Sequence, residues 1–370
     1  MNIGTIKEIK NHEYRVGMTP DNVKEFIKRG HKVYVETKAG LGAGFSDEEY
    51  INAGAIILDS AKEVCDNAKM IIKVKEPLES EYHLFNKDHI LYTYLHLAAD
   101  EKLAKHLMEV GLTAVAYETI TDRVGNLPCL RPMSMIAGRL SVQEGAKYIE
   151  KAYGGRGILL GGVPGVERGK IVIIGGGIAG TYAAKAAVGI DAEVTLLDVD
   201  MNRLLYLEDI FGASITTLYS TEANILNSLK TADLVIGSVL LPGAKTPKLI
   251  RKSYLKEMKP GSVIVDIAID QGGCAESSRV TTHDDPVYIE DGVVHYCVGN
   301  MPGAVPHTST LALTNATIPY ALKIADNGLE TLVKNDEGFA KGVNIALHYC
   351  TNKAVASSLN LDYKDILELI

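Results

Sequence analysis

The 370-residue sequence lacks the features that mark several classes of protein. Its five cysteines are an odd number without a C-x-x-C pair, so we expect reduced thiols rather than a disulfide framework or a zinc site. No apolar run approaches the roughly 18 residues of a membrane span, and the N-terminus has no signal-peptide pattern. A net charge of −8 argues against binding of nucleic acid or an anionic membrane. We therefore expect a cytoplasmic globular protein with no nucleic-acid or membrane partner.

Alternating strands and helices predict an α/β fold with two domains. Residues 1–128 alternate short apolar strands with helices, which indicates a parallel sheet. Residues 170–300 show the same alternation and predict a doubly wound dinucleotide-binding (Rossmann) sheet, with a helix at Pro247 to Met258. Residues 129–169, a long helix followed by a glycine-rich loop, connect the two regions. Residues 307–370 are mostly helical by pattern.

A glycine motif follows the apolar strand that begins at residue 170. Gly175, Gly177 and Gly180 form G-x-G-x-x-G and lead into an alanine-rich helix. The first glycine allows a tight turn, the second lets a pyrophosphate approach the backbone, and the third lets the helix pack closely on the strand. The next strand ends at Asp198, where this pattern places an acid for the ribose 2′-hydroxyl. These parts predict a dinucleotide site; the alternative is a glycine-rich turn without a ligand.

Four polar residues lie at the carboxyl ends of predicted strands, where ligands of open α/β sheets bind. They are Lys75, His96, Asp270 and Asn300, two from each predicted domain, and a cleft between the domains could bring them together. Three of these residues also have an ordinary alternative. Lys75 could be a solvated lysine in a charged run, His96 a core histidine, and Asp270 a turn residue. Arg15 could be a surface arginine or a bidentate clamp for a carboxylate.

Long motifs show that the sequence resembles the family of alanine dehydrogenases and the NAD-binding part of nicotinamide nucleotide transhydrogenase. The similarity covers essentially the whole chain. The motifs that carry it are Glu8–Pro20, Gly40–Asp47, Ile72–Pro77, Tyr94–Ala98, Arg131–Gly138, the glycine motif itself, Asp266–Gly273 and Gly299–Gly303. The resemblance implies reversible, NAD-dependent oxidative deamination of L-alanine to pyruvate and ammonium.

The family pattern also implies an architecture. The final helices would return to the first domain, so that 1–128 with 307–370 forms the substrate domain and 129–306 the NAD-binding domain. The active site would lie in the cleft between them. Family members are typically homohexamers. Some have an acidic and a histidine position proposed to bind magnesium; Glu118 matches the first, but the second is Asn327 here, so no metal is predicted.

Roles for individual residues follow from the same resemblance. Arg15 and Lys75 would hold the carboxylate and carbonyl of pyruvate. His96 would be the general acid/base, and Asp270 would assist the water or ammonia step. Asp198 would bind the adenine ribose. The full set expected to line the cofactor is Ser134, Gly175, Gly177, Ile178, Ala179, Gly180, Asp198, Arg203, Ser220, Val239, Leu240, Ile267, Arg279, Asn300 and Met301.

A binding protein is the main alternative to an enzyme. A transhydrogenase-like subunit would carry NAD(H) without turning over an amino acid, and it shares the N-terminal motifs and the glycine motif. The transhydrogenase pattern has an Arg, Gln and Asp set where this chain has Leu130 to Met135, which contains neither Gln nor Asp. That difference favours the dehydrogenase. A purely structural Rossmann-like protein would need the polar set to be broken, and it is intact.

Overall fold

A computed structural model describes residues 1–239 and 246–370. The chain divides into two compact units, Met1–Met133 with Val305–Ile370, and Ser134–Ala304. Each unit contains one mainly parallel sheet, and strands and helices are numbered here along the whole chain. Among the helices of the described residues, none is long and apolar enough to cross a membrane.

The sheet of the first unit has eight strands in the order β15-β14-β6-β5-β4-β1-β2-β3. The strands are β1 (Asn2–Thr5), β2 (Lys32–Glu36), β3 (Ile56–Leu58), β4 (Met70–Ile72), β5 (Ile90–Thr93), β6 (Thr113–Ala116), β14 (Val343–Ala346) and β15 (Tyr349–Cys350). The first six are parallel, as the alternation predicts, whereas β14 pairs antiparallel with β6 and β15 with β14. The prediction for 307–370 missed the last two strands, because short apolar runs carry too little periodicity to separate a strand from a helix.

Six of the eight helices of the first unit begin after a residue whose side chain caps them. The eight helices are α1 (Pro20–Lys28), α2 (Asp47–Asn52), α3 (Ala61–Asn67), α4 (Glu101–Val110), α9 (Pro306–Asn327), α10 (Leu329–Asn335), α11 (Glu337–Ala340) and α12 (Lys353–Leu359). Thr19 and Ser46 each accept a backbone N–H of the first turn, and the third helical residue bonds back to them. Gly111 ends α4 in a left-handed conformation with φ of 77°.

The C-terminal segment contributes to the core of the first unit. Ile345 of β14 is fully buried, and Val355 of α12 is 6% exposed. They belong to the same cluster as Leu91 of β5 and Leu103 and Leu107 of α4. The first and last parts of the chain therefore share one hydrophobic core.

The second unit has a seven-stranded sheet in the order β12-β13-β11-β10-β7-β8-β9. Its strands are β7 (Lys170–Ile174), β8 (Glu193–Asp198), β9 (Thr216–Tyr219), β10 (Leu234–Gly237), β11 (Val263–Asp266), β12 (Val287–Glu290) and β13 (Val293–Tyr296), and its helices are α5 (Arg131–Tyr148, which begins in the first unit), α6 (Ile178–Gly189), α7 (Met201–Phe211) and α8 (Glu222–Thr231). All neighbouring strands are parallel except the β12-β13 hairpin. The strand order reverses on either side of β7, which confirms the doubly wound prediction.

The predicted helix at Pro247 to Met258 is wrong. The described part of this segment contains only a 3₁₀ turn at Lys252–Glu257. The backbone N–H groups of Leu249 and Ile250 donate to the carbonyl of Cys274 at 2.8 and 3.1 Å. Because Ile250 pairs with Ala275 as an isolated parallel bridge, its backbone groups bond outside the segment and a helix cannot use them.

Candidate active site

The glycine motif forms the turn between β7 and α6. Gly175 has a φ of 102°, which favours glycine, and its N–H donates to the carbonyl of Leu197 at 2.8 Å. A Cβ on Gly180 would lie 1.8 Å from the carbonyl oxygen of Gly175. A Cβ on Gly177 would meet no atom within 4 Å. The fold itself therefore requires glycine at 175 and 180, whereas Gly177 borders open space in which a ligand could approach the backbone.

Asp198 ends β8 beside this turn, where the sequence pattern predicts it. Its Oδ2 accepts the N–H of Gly176 at 2.5 Å, and its Oδ1 accepts the N–H of Asp200 at 2.9 Å. Arg203 also bonds to the glycine turn. Its Nε donates to the carbonyl of Gly176 and its Nη2 to the hydroxyl of Thr181, both at 2.5 Å. The Arg203 guanidinium thus holds the turn together from the side of α7.

Other residues predicted to line the cofactor lie along the carboxyl edge of the same sheet. Ser220, Val239 and Ile267 directly or closely follow β9, β10 and β11. The N–H of Ser220 donates to the carbonyl of Asp198 at 2.9 Å. Ile178 and Ala179 form the first turn of α6. Leu240 lies outside the described residues.

Ser134 and Arg279 lie further from the glycine turn in sequence and on other elements. Ser134 is partly buried on α5, one turn before Gly138, where a Cβ would lie 2.1 Å from the carbonyl oxygen of Ala179. Helix α5 therefore packs against the start of α6. Arg279 is exposed, and its guanidinium lies 4.1 Å from the ring centre of Tyr288.

Asp270 and Asn300 lie together at the carboxyl edge of β11 and β13. Asp270 is exposed, on a 3₁₀ turn at Ile267–Gln271. The N–H of Asn300, which has a φ of 58°, approaches its Oδ2 at 3.5 Å. Met301 follows and is 3% exposed. The acid predicted to assist the reaction is therefore accessible to a ligand.

Buried Asp266 supports this turn and escaped the sequence analysis. Its Oδ2 accepts the N–H of Cys274 at 2.8 Å and the hydroxyl of Ser278 at 2.5 Å, and its Oδ1 accepts the N–H of Ala268 at 3.1 Å. These partners lie up to twelve positions away in the chain, so no local sequence pattern predicts them.

In the first unit, Arg15 is held by a carboxylate. Arg15 is 2% exposed, which excludes a surface arginine. Its Nε and Nη2 donate to the two carboxylate oxygens of Glu13 at 2.6 and 2.5 Å, and its Nη1 lies 3.0 Å from the sulfur of Met133. Burial alone would raise the pKa of Glu13, but the hydrogen bonds and charge of Arg15 lower it. Glu13 was missed by the sequence analysis, although the i, i+2 spacing to Arg15 is a usable signal.

Lys75 follows β4 and lies in a charged environment below the surface. It is partly buried, and its N–H donates to Glu8 Oε1 at 3.2 Å. Burial, and then repulsion from Arg15, lower its pKa. The preceding Lys73 is fully buried, 2.7 Å from Glu81 and 3.2 Å from Glu8. Burial raises the pKa of Glu8, although the nearby positive charge of Lys73 acts to lower it. Lys73 of this charged run is therefore buried and paired, while Lys75 remains partly exposed.

His96 follows β5 and is exposed, which excludes the alternative of a core histidine. It has a left-handed φ of 50°, and its N–H donates to Glu118 Oε1 at 2.7 Å. Its ring stacks with that of Tyr94 at 5.8 Å between centroids. The charges of Arg15 and Glu118 both act on the pKa of Tyr94, which burial raises. Tyr94 therefore stacks on His96 and also experiences the charge of Arg15.

The two positions considered for magnesium in the sequence are Glu118 and Asn327. Within residues 1–239 and 246–370, no three His, Cys, Asp or Glu side chains are grouped as a metal site. Glu118 accepts backbone N–H groups of Leu95 and His96, and Asn327 is the last residue of α9.

Comparisons with known proteins identify the family. The N-terminal domain model of alanine dehydrogenase/PNT matches residues 4–137, and the C-terminal domain model matches residues 141–353. An alanine dehydrogenase of Methanococcus maripaludis is 56% identical over 98% of both chains. One of Bacillus subtilis is 54% identical over 98% of this chain and 96% of its own.

Solved structures agree with these matches. A structure of L-alanine dehydrogenase superimposes with a TM-score of 0.95 at 52% identity, covering 97% of this chain and 99% of that one. A transhydrogenase structure from Sinorhizobium meliloti has a TM-score of 0.83 at 23% identity, covering 96% of this chain and all of that one, which shows a shared fold. Because both domain models and whole-length relatives match, the chain belongs to the alanine dehydrogenase/PNT family.

Proposed function

We propose that the protein is an NAD-dependent L-alanine dehydrogenase, which interconverts L-alanine with pyruvate and ammonium. One observation carries the proposal: Arg15, Lys75 and His96 follow β1, β4 and β5, three neighbouring parallel strands, so they cluster at one carboxyl edge, and the other unit holds a glycine turn suited to a dinucleotide. Relatives that carry the name alanine dehydrogenase match the chain over nearly its whole length. A dinucleotide carrier would need the turn but not the cluster.

The residues of the second unit fit an NAD molecule. The open space at Gly177 would admit the pyrophosphate, and the first N–H groups of α6 have no intrahelical partner. Asp198 would bind the adenine ribose through its carboxylate. The negative charge of Asp198 should also repel a 2′-phosphate. Arg203 would not offset this repulsion, because its guanidinium is already bonded to Gly176 and Thr181. We expect NAD to be used more efficiently than NADP, which a comparison of kcat/KM for the two cofactors checks.

Arg15 and Lys75 would bind the keto acid. The guanidinium of Arg15 would pair with the pyruvate carboxylate, and its bonds to Glu13 fix its orientation before substrate arrives. The ammonium group of Lys75 would donate to the ketone oxygen and so favour attack by ammonia on the carbonyl carbon. NAD would supply the hydride acceptor for alanine oxidation.

His96 and Asp270 would move the protons. In the aminating direction the tetrahedral adduct of pyruvate and ammonia must lose water, and His96 would protonate the departing hydroxyl. Asp270 would accept a proton from the incoming amine. Both side chains are exposed.

The finer expectations of cellular location and assembly belong to the same proposal. We propose a cytoplasmic homohexamer, as the family resemblance implies. Sedimentation equilibrium of the purified protein checks the assembly, with a monomer or dimer at micromolar concentration as the contrary result.

A steady-state assay tests the proposed activity. Purified protein should oxidise NADH only when pyruvate and ammonium are both present. NADH binding without turnover would support a carrier instead. A panel of 2-oxo acids in the same assay defines how strictly the protein prefers pyruvate.

A further inference from the structure

The backbone that carries Lys75 is held by a single carboxylate. Glu8 follows β1, the strand beside β4, and its Oε1 accepts the N–H groups of both Val74 and Lys75, at 2.6 and 3.2 Å. Its Oε2 lies 3.2 Å from the ammonium of fully buried Lys73. Both oxygens of Glu8 are thus engaged, and two successive N–H groups point to one of them.

The same arrangement recurs one strand away at His96. Glu118 follows β6, the strand beside β5, and its Oε1 accepts the N–H groups of Leu95 and His96, at 3.1 and 2.7 Å. His96 has a φ of 50°, a conformation that residues with a side chain rarely adopt.

Two successive N–H groups on one oxygen restrict the φ and ψ angles of the residue between them, Val74 in one case and Leu95 in the other. They thereby fix the peptide plane that precedes the site residue, and with it the positions of that residue's N and Cα atoms. In each case the carboxylate comes from the strand adjacent to the one that the site residue follows. Hydrogen bonds to an ionised carboxylate are roughly twice as strong as neutral ones, which suits them to this task.

We propose that Glu8 and Glu118 are a matched pair of positioning residues, which orient Lys75 and His96 through their backbone N–H groups. The inference rests on the proposed dehydrogenase function and deepens it. A merely structural role would predict a loss of stability alone. A positioning role predicts a change in kcat or KM, and which of the two changes depends on whether Lys75 or His96 has lost its carboxylate.

Alanine and glutamine variants test the proposal. Glu118→Ala should lower kcat by roughly 10- to 100-fold, because small misplacements of a reacting group cost up to about that much. The NADH dissociation constant should stay unchanged. Glu8→Ala should mainly raise the KM for pyruvate, because Lys75 binds the ketone. Glu118→Gln and Glu8→Gln keep an acceptor oxygen without charge, so each should recover part of the loss.

Asp47 provides a matched control in the same unit. Its Oδ1 accepts the N–H of Lys38 at 2.8 Å, and Lys38 also has a left-handed φ, of 63°. Asp47→Ala should lower the melting temperature without changing kcat or KM. If the alanine variants of Glu8 and Glu118 behave like Asp47→Ala, the proposal is overturned. The proposal would also be overturned if kcat and KM of the glutamine variants were as impaired as those of the alanine variants. The charge of the carboxylate, and not its bond to the backbone, would then be what matters.

An activity-independent measurement separates this proposal from the proposed function. Short hydrogen bonds to a carboxylate shift an amide proton downfield, so His96 and Val74 should show such signals in selectively ¹⁵N-labelled protein. Glu118→Gln and Glu8→Gln should move them upfield, each at its own site. Unmoved signals would contradict the proposal. A wild-type protein inactive towards pyruvate would instead contradict the dehydrogenase function, and the amide signals would still report the bonds.

Discussion

At the scale of single residues, Lys75 is placed where its charge is disfavoured. Burial is the largest cause of its lowered pKa, and repulsion from Arg15 adds to it, while Glu76 and Glu13 act in the opposite direction. A lysine in this setting loses its proton at lower pH than a surface lysine, whose pKa is about 10.4. The charge required by the proposed reaction is therefore present only below this lowered pKa.

Ligand affinity should follow that titration. Oxamate resembles pyruvate in shape and charge but is not aminated, so its binding avoids the titration of ammonia. Because the protonated lysine binds the carbonyl, affinity should be full below the lowered pKa and fall as pH rises through it, at a pH below about 10.4. Calorimetric titration of the NADH complex across alkaline pH measures this. A constant oxamate affinity up to pH ~10.4 would show that binding does not depend on the charge of Lys75.

His96 should matter for chemistry rather than for cofactor binding. His96→Ala should lower turnover by roughly 10²- to 10⁴-fold, the usual contribution of one acid/base group. Fluorescence titration should give an unchanged NADH affinity. His83→Ala, at an exposed histidine of the same unit, is the control and should keep full activity. Near-normal turnover of His96→Ala would remove this histidine from the mechanism.

Sequence reasoning identified these residues but not the groups that hold them. The type and strand-end position of Lys75 and His96 are visible in a single chain. Glu118 bonds the backbone 22 positions away, and Glu8 bonds it 66 positions away. Such partners depend on which strands are neighbours in the sheet, and that order is not written in any local pattern.

At the scale of elements, the glycine turn combines two different requirements for glycine. The steric requirement at Gly180 is internal to the fold, because its Cβ would collide with the carbonyl oxygen of Gly175. At Gly177 the fold makes no such demand. A ligand is the remaining reason for glycine there, so substitutions at the two positions should have different effects.

Three alanine variants separate these requirements. Gly180→Ala should destabilise the protein by more than ~2 kcal/mol, because the helix and strand must move apart. Gly177→Ala should keep the melting temperature but weaken NADH binding. Gly189→Ala, at the end of the same helix and with no atom within 4 Å of its Cβ, should be neutral or slightly stabilising. Thermal unfolding and NADH titration measure both properties, and unchanged NADH affinity in Gly177→Ala would contradict the predicted phosphate position.

Elements with strong local signals were predicted well, and those defined by remote pairing were not. Thr19-Pro20 and Gly111 mark helix ends through local hydrogen bonds and backbone conformation, and these helices belong to the alternation predicted for residues 1–128. The segment around Ile250 has an apolar pattern that also suits a helix, but its backbone bonds to Cys274 and Glu276. Strand β14 forms by pairing with the free edge of β6. The sequence of residues 343–346 alone does not predict this pairing.

At the scale of the whole molecule, the first unit is built from both ends of the chain. Strand β14 covers the edge of β6, and α9 packs against α1. Without Val305–Ile370, the unit would expose a sheet edge and part of its core. Its folding therefore depends on a segment that follows the entire second unit in sequence.

Expression of fragments should reveal this dependence. Residues 1–133 alone should be aggregated or lack a cooperative thermal transition, because buried side chains such as Leu107 lose contacts with Ile345 and Val355. Coexpression with residues 305–370 should restore soluble, cooperatively unfolding material. Circular dichroism during heating distinguishes the two cases. A cooperative transition in the short fragment alone would show that the C-terminal segment is dispensable for this core.

In the proposed reaction a hydride passes from the α-carbon of L-alanine to NAD⁺, and residues of both units take part. The most direct measurement supplies L-alanine deuterated at that carbon and analyses the reduced cofactor by mass spectrometry. The proposed function predicts NADH that carries one deuterium, formed together with pyruvate and ammonium, and no product from D-alanine. Tight NADH binding without any labelled cofactor would contradict it and identify the protein as a carrier.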